Sequence, residues 1–359
     1  MTVDAFTTLG TSAGLSVLRG YLHKNSVAEG DILLLGAVTP GLKELVIEAN
    51  ESGAGHGRLV VVEPTYERRA PPSDADNSLD GAGPPIVDAA LDDLHTCPTT
   101  ADRIIRAAIP RDMSSYCSIR RLIESASLAD PLFADGSFDT VIIDLGLNRL
   151  DRTRAKACIA ESFRVLRRGG KVLVTAILGD EEPGFISGVA ELLQSIASVP
   201  VETAMGKLLE DSGFYGISYL WSSPTSFEVA GGAHLRYFIA EAFKGKQGVC
   251  LDQGHAVILK GPWKEVFDDD GHRYVRGERT AVCEKTYRIL TQEPYDSYFI
   301  GLPCSEAPDL ADAPLFDCST PRLRDPRVTR GALPVVNELP ANPLRAAETD
   351  GMTWGVTSP

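Results

Sequence analysis

Gly136-Ser137-Phe138-Asp139-Thr140-Val141-Ile142-Ile143-Asp144 leads through a helical stretch into Arg164-Val165-Leu166-Arg167-Arg168-Gly169-Gly170-Lys171-Val172-Leu173-Val174-Thr175-Ala176. Val141 to Ile143 is an unbroken apolar run, the pattern of a strand buried on both faces. Ile159, Phe163 and Leu166 recur at helical spacing, and Gly169-Gly170 predicts a left-handed stop to that helix. Val172 to Val174 predicts a second buried strand. Strand, helix, glycine stop and strand predict a βαβ crossover of a parallel sheet.

Upstream, residues 11–23 predict a helix with Leu15, Leu18 and Leu22 on one face. A buried strand over 31–36, a helix over 42–49 and a strand over 58–63 follow. The last ends on Glu63, an acidic strand end of the kind nucleotide-binding α/β folds carry. Residues 64–98 are rich in Pro, Gly and Asp and predict a long loop, either an insertion or a lid over a ligand. A helix is expected over 100–108 and the third strand within 116–123. Downstream, helices are expected over 184–197 and 203–212, then strands over 214–221 and 234–243, which ends a first domain, 1–244. An appendage spans 245–320, with a strand at 256–259, a turn at 268–271 and a helix over 282–290. Residues 321–359 lack periodicity and are expected to be extended or disordered.

The segments "FADGSFDTVIIDLGLNRL" and "ESFRVLRRGGKVLV" resemble the fourth- and fifth-strand region of class I S-adenosylmethionine-dependent methyltransferases. The resemblance implies an α/β, Rossmann-like doubly wound sheet with a late antiparallel hairpin, here followed by a small α+β appendage. It also implies S-adenosylmethionine at the end of the first strand, where glycines let the backbone approach the cofactor. Gly36 fits that pattern. Val38 and Pro40 stand where the family has glycines and Leu34 where it has an acid, so the glycine loop is degenerate. By position in the motif, Gly36, Ala37, Val38, Glu63 and Asp144 are the expected cofactor residues, Glu63 as acceptor for the ribose hydroxyls. Methyl transfer is an in-line displacement that needs alignment more than acid–base help. Asn148, after the fourth strand, and Tyr237, on the last, are the candidate catalytic residues. Tyr116 and His234 are further candidates for the acceptor side, with packing or surface roles as the alternative.

The appendage segment "AVILKGPWKEVFDDDGHRYVRGERTAVCEKTYRIL" resembles the C-terminal part of the longer arsenite methyltransferases. That family traps trivalent arsenic on cysteine thiolates, a soft metalloid on soft ligands. Here Leu145, Leu147, Ser195 and Phe238 occupy the places of the family's cysteines, so its arsenic-binding thiols are missing. Four cysteines lie late: Cys250, Cys283, Cys304 and Cys318. None forms a Cys-x-x-Cys pair, so a zinc site would have to be assembled from distant loops. The expectation is thiols without a metal, and His255 and His272 as surface turn residues.

The chain has 359 residues and a formal charge of -14, which disfavours nucleic acid as a partner. No apolar run suits a bilayer, no signal peptide is evident, and seven scattered cysteines read as thiols of a cytoplasmic protein. The resulting expectation is an S-adenosylmethionine-dependent transferase acting on a small molecule, with a soft acceptor such as a thiol or metalloid. Two alternatives stay open. One is a catalytically silent methyltransferase-fold subunit; the other is transfer or cyclisation of the cofactor's aminocarboxypropyl group. A homo-oligomer or a partner subunit is compatible with each.

Overall fold

The computed structural model describes residues 13–22, 30–35, 41–42, 45–46, 48–49, 59–62, 104–106, 133–183, 196, 198–228 and 232–336. The chain divides into two compact units, Met1–Lys244 and Gly245–Pro359.

The first unit is built on strands β1 (Ile32–Leu35), β2 (Leu59–Val62), β3 (Ile104–Arg106), β4 (Phe138–Asp144), β5 (Leu166–Gly179), β6 (Tyr215–Ser222), β7 (Phe227–Glu228) and β8 (His234–Phe243). They lie in the order β3-β2-β1-β4-β5-β8-β6, with β7 on β8. β1 to β5 are parallel, and β8 runs antiparallel to both β5 and β6. This is the α/β fold of the class I methyltransferases, with its antiparallel hairpin late in the chain.

Strand residues alternate between two layers, as the period of two requires. Ile32, Leu34, Ile142, Leu173 and Ile239 meet Leu18 and Leu22 of the helix over 13–22, with Leu42, Leu45 and Val46. On the other face, Leu33, Leu35, Val141, Ile143, Val172 and Val174 meet two helices: α1 (Arg152–Val165), through Cys158 and Ile159, and α2 (Glu202–Asp211), through Met205 and Leu209. Burial pushes the Cys158 thiol up to about 12, so it packs as an inert hydrophobe.

Two expectations for this unit are corrected. Residues 104–106 form a strand, not a helix: Ile104 and Ile105 pair with Leu59 and Val60 of β2. Adjacent β-branched residues suit a strand, and the Ala and Arg around them gave the helical reading. The Gly-Gly pair does not cap α1. That helix ends at Val165, and β5 already begins at Leu166. Gly169 takes φ +85 inside the strand, and a Cβ on Gly170 would lie 2.7 Å from the Asp139 carbonyl oxygen. The glycines serve an irregular strand entry that exchanges backbone bonds with Lys244. The expected loop over 64–98 and strand within 116–123 lie outside the described residues, as does nearly all of the expected helix over 184–197.

The quoted motif explains its own spelling. Arg164 binds the buried carboxylate of Glu161 through Nε and Nη2, both at 2.7 Å, donates to the Phe133 carbonyl at 2.6 Å and pairs with Asp135. Arg167 pairs with Asp139, reaches Asp31 at 2.9 Å and donates to the Ser137 carbonyl. Asp139 also accepts from the Asp31 N–H at 2.8 Å. Arg164 therefore ties the end of the crossover helix to the approach to β4, and Arg167 ties the start of β5 to the entries of β4 and β1.

The second unit centres on β9 (Ala256–Leu259), flanked antiparallel by β12 (Arg279–Ala281) and β13 (Phe299–Leu302). β10 (Glu265–Phe267) and β11 (Arg273–Val275) form a hairpin around the Asp268–Gly271 turn. With α3 (Glu284–Leu290) they enclose a core of Val257, Leu259, Tyr274, Val282, Leu290 and Phe299. The chain does not become extended at Pro321. Leu323 bridges to Thr280, Arg324 forms a buried ion pair with Asp252, and α4 (Pro326–Thr329) follows. A polar anchor, rather than a hydrophobic stripe, holds this segment, which is why periodicity did not reveal it.

Candidate functional site

In an open α/β sheet, ligands sit beyond the carboxyl ends of the strands, where the order reverses. Here that point lies between β1 and β4, which end side by side with Leu35 opposite Ile143. Asp144 closes β4 and is fully buried; its Oδ1 accepts from the Thr175 hydroxyl at 2.7 Å. The Leu145 N–H donates to both the Thr175 hydroxyl and carbonyl, at 3.1 Å each. Leu145 has φ 52°, the only left-handed conformation found outside glycine among the described residues. Such a conformation costs roughly 1–2 kcal/mol, and strain of this kind concentrates at functional edges. Neither Thr175 nor the strain at Leu145 was signalled by the sequence.

Asn148 lies in a 3-10 turn, Leu147–Arg149, and is fully buried. Its Nδ2 donates to the carbonyls of Ile177 (2.8 Å) and Ser198 (3.2 Å), and its Oδ1 accepts from the Ile177 N–H at 2.9 Å. Its amide fastens β5 to the segment at Ser198. Tyr237 sits opposite Ile177 on β8 and is largely buried with Leu145, Val199, Ala233 and Leu235. His234 is an exposed strand end whose Nδ1 meets the Ser226 hydroxyl. Leu34 is wholly buried in one core layer. Leu147 belongs to the other layer, and Phe238 is partly buried against that layer. Gly36, Ala37, Val38, Glu63 and Tyr116 lie outside the described residues, as does Ser195.

The second unit holds a cluster the spacing concealed. The sulfur atoms of Cys250, Cys283 and Cys318 all lie within 4.8 Å of one another. Cys283 caps α3, and its sulfur accepts from the Thr286 N–H at 3.4 Å and lies 3.2 Å from the Thr286 hydroxyl. Donation from Cys318, from both Thr286 groups and from Cys250 outweighs burial and holds the Cys283 thiol well below the usual thiol range. The same contact pushes the Cys318 thiol up. A hollow of about 20 Å³ beside the sulfurs is lined by His272, Thr286 and Phe316, among others, with room for one water-sized body. His272 Nδ1 is tied to Asp268 at 2.8 Å, which raises its pKa. Cys304 stands apart, donating to the Val328 carbonyl. His255 is half-buried rather than a free turn residue: its Nδ1 accepts from the Cys304 N–H at 3.0 Å and its ring lies 4.4 Å from that of Tyr287.

A family model described as a domain of unknown function (DUF8838) matches residues 246–334, which include all three clustered cysteines. A search of curated proteins finds no match. Among solved structures, the arsenic(III) S-adenosylmethionine methyltransferase of Chlamydomonas reinhardtii is similar at 17% identity and a TM-score of 0.40, over 84% of this chain and 99% of that one. The 1,6-didemethyltoxoflavin-N1-methyltransferase of Burkholderia thailandensis is similar at 16% identity and 0.37, over 67% and 81%. Human N-acetylserotonin methyltransferase is similar at 13% and 0.34, over 67% and 54%. No helix among the described residues is long and apolar enough to cross a membrane.

Proposed function

We propose that this chain is an S-adenosylmethionine-dependent transferase acting on a small molecule with a soft acceptor, a thiol or a metalloid. The observation that supports the reading most is the reversal of strand order between β1 and β4, with a strained Leu145 at that edge. Asp144 suits a ligand there as a fixed carboxyl group one residue beyond Ile143, positioned by Thr175. Gly36, Ala37, Val38 and Glu63 are assigned to the cofactor by the motif alone. The cofactor, when bound, supplies an electrophilic methyl group on a sulfonium. Tyr237 and Leu145, buried together with Leu235, give the acceptor side an apolar wall that excludes water. Asn148 acts as a positioning residue, since its amide groups hold β5.

Titration calorimetry of the full chain with S-adenosylmethionine and S-adenosylhomocysteine tests the proposal. A saturable heat with either ligand is expected. No heat at millimolar cofactor would sink it and leave the silent-subunit reading, which the saturated amide of Asn148 favours.

A further inference from the structure

The three sulfurs of the second unit converge from segments far apart in sequence, and backbone bonds beside each cysteine hold the convergence. The Phe316 N–H donates to the Cys250 carbonyl at 2.9 Å, and Leu251 bridges to Leu315. The Glu284 N–H, next to Cys283, donates to the Leu251 carbonyl at 2.9 Å. The Asp252 N–H donates to the Pro314 carbonyl at 2.8 Å. On the far side of Cys318, Ser319 closes a turn onto Asp317. This lattice fixes all three segments without help from the thiols, and the thiols still face one another.

Three sulfurs in one place suit ligation better than a disulfide, which uses two and strands the third. Thiolates on a tetrahedral ion at about 2.3 Å stand about 3.8 Å apart. The present spread, within 4.8 Å, needs each side chain to draw in by less than about 1 Å to reach that geometry. No other His, Cys, Asp or Glu joins the group among the described residues. The hollow lies beside two of the sulfurs and supplies the space of a fourth position.

We propose that Cys250, Cys283 and Cys318 form a three-thiolate site for a soft, thiophilic ion, of the class that includes zinc(II) and trivalent metalloids, with its fourth side open to the hollow beside His272. Soft sulfur ligands select such ions. Ligation requires thiolates, and the Thr286 N–H and hydroxyl already lie 3.4 Å and 3.2 Å from the Cys283 sulfur. The ion would staple the loop carrying Cys318 and the start of α3 to the segment carrying Cys250. A unit of this size gains from such a staple, because its hydrophobic core is small.

The site is independent of the transferase reading, and its test reads binding rather than activity. Reduced, full-length chain, stripped by a chelator, is titrated in one arm with zinc(II) against a chromophoric competitor and in the other with sodium arsenite. Reactive thiols are counted in both. The expected result in at least one arm is one equivalent bound with three thiols protected; the arm that responds identifies the ion. Cys283→Ser, Cys250→Ser and Cys318→Ser should each weaken binding by more than about 100-fold, beyond the cost of losing an outer-shell partner. Cys304→Ser should not. Cys250 and Cys318 are only partly buried, so their variants keep the test valid if Cys283→Ser unfolds. Failure of both ions to protect three thiols overturns the proposal. So does binding that survives Cys250→Ser and Cys318→Ser.

Discussion

Replacing Arg324 by Met removes a cation from a place that water does not reach. The side chains of Arg324 and Asp252 are 2% and 3% exposed. Two parallel bonds join them, Nη2 to Oδ1 at 2.6 Å and Nη1 to Oδ2 at 3.1 Å, and Arg324 Nε donates to the His255 carbonyl at 3.2 Å. Met keeps most of the volume and none of the donors. The Asp252 carboxylate then keeps the Gly254 N–H at 2.8 Å and loses both guanidinium donors. Breaking a buried pair from one side costs about 3–5 kcal/mol. Asp252→Asn added to Arg324→Met removes the stranded charge and should recover much of that loss. The assay is hydrogen exchange of the β9 amides, Ala256–Leu259, in the full chain. At about 1.4 kcal/mol per tenfold, the lower bound accelerates exchange through unfolding by about 100-fold. A single variant within about 1 kcal/mol of the parent would refute the reasoning: the carboxylate would then be finding water, and the segment after Pro321 would not cover it.

Three further outcomes follow from equally local geometry. Asn148→Ala leaves both backbone groups of Ile177 and the Ser198 carbonyl short of a partner; at about 1–3 kcal/mol per buried unsatisfied group, thermal unfolding should show a loss of several kcal/mol, and an unmoved melting temperature would contradict the positioning role. Gly170→Ala drives a Cβ against the Asp139 and Arg167 carbonyl oxygens and should cost about 1–3 kcal/mol, whereas Gly169→Ala meets nothing and pays only for its φ of +85°, roughly 1 kcal/mol; denaturant unfolding that ranks the two the other way rejects the strand-entry account. Burial, and then the Arg324 cation, lower the pKa of His255. The unfolded chain therefore binds the extra proton below about 6.5, so this contribution to stability is complete above that pH and is lost as pH falls through the lowered folded value. His255→Gln should flatten that acid limb in pH-dependent unfolding of the second unit.

The parts of the fold that were legible are those where one signal governs. Val141 to Ile143 and Val172 to Val174 are continuous apolar strands because both faces of the sheet are covered, and both lie in the core as read. The strand limits at Ala256–Leu259 and His234–Phe243 also match the pattern of their side chains. Legibility failed where polar or long-range contacts decide. Residues 104–106 gain their strand from pairing with β2, against the propensity of their neighbours. The segment after Pro321 is held by Arg324, whose partner Asp252 is remote in sequence. The three cysteines follow no spacing rule, since the segments that carry them meet only through tertiary hydrogen bonds.

Within the segments that carry the methyltransferase resemblance, the arginine clasp and the residues assigned to chemistry lie at opposite ends of the same strands. Arg164 and Arg167 clasp Asp31, Asp135, Asp139 and Glu161 at the amino ends of β1, β4 and β5. Asp144, Leu145 and Thr175 stand at the carboxyl ends. The clasp can keep its spelling for stability alone, because each arginine satisfies carboxylates and carbonyls that would otherwise lose their charge-assisted partner. The carboxyl edge is under no such constraint, and the sequence resemblance is weakest soon after β1, at Val38 and Pro40. Leu147 and Phe238, which the sequence reading set against the cysteines of the arsenite methyltransferases, belong to or pack against the core instead. The three-thiolate site proposed for the second unit draws on none of those positions. A soft ion bound there would therefore use sulfurs distinct from the positions to which the arsenite methyltransferase resemblance points.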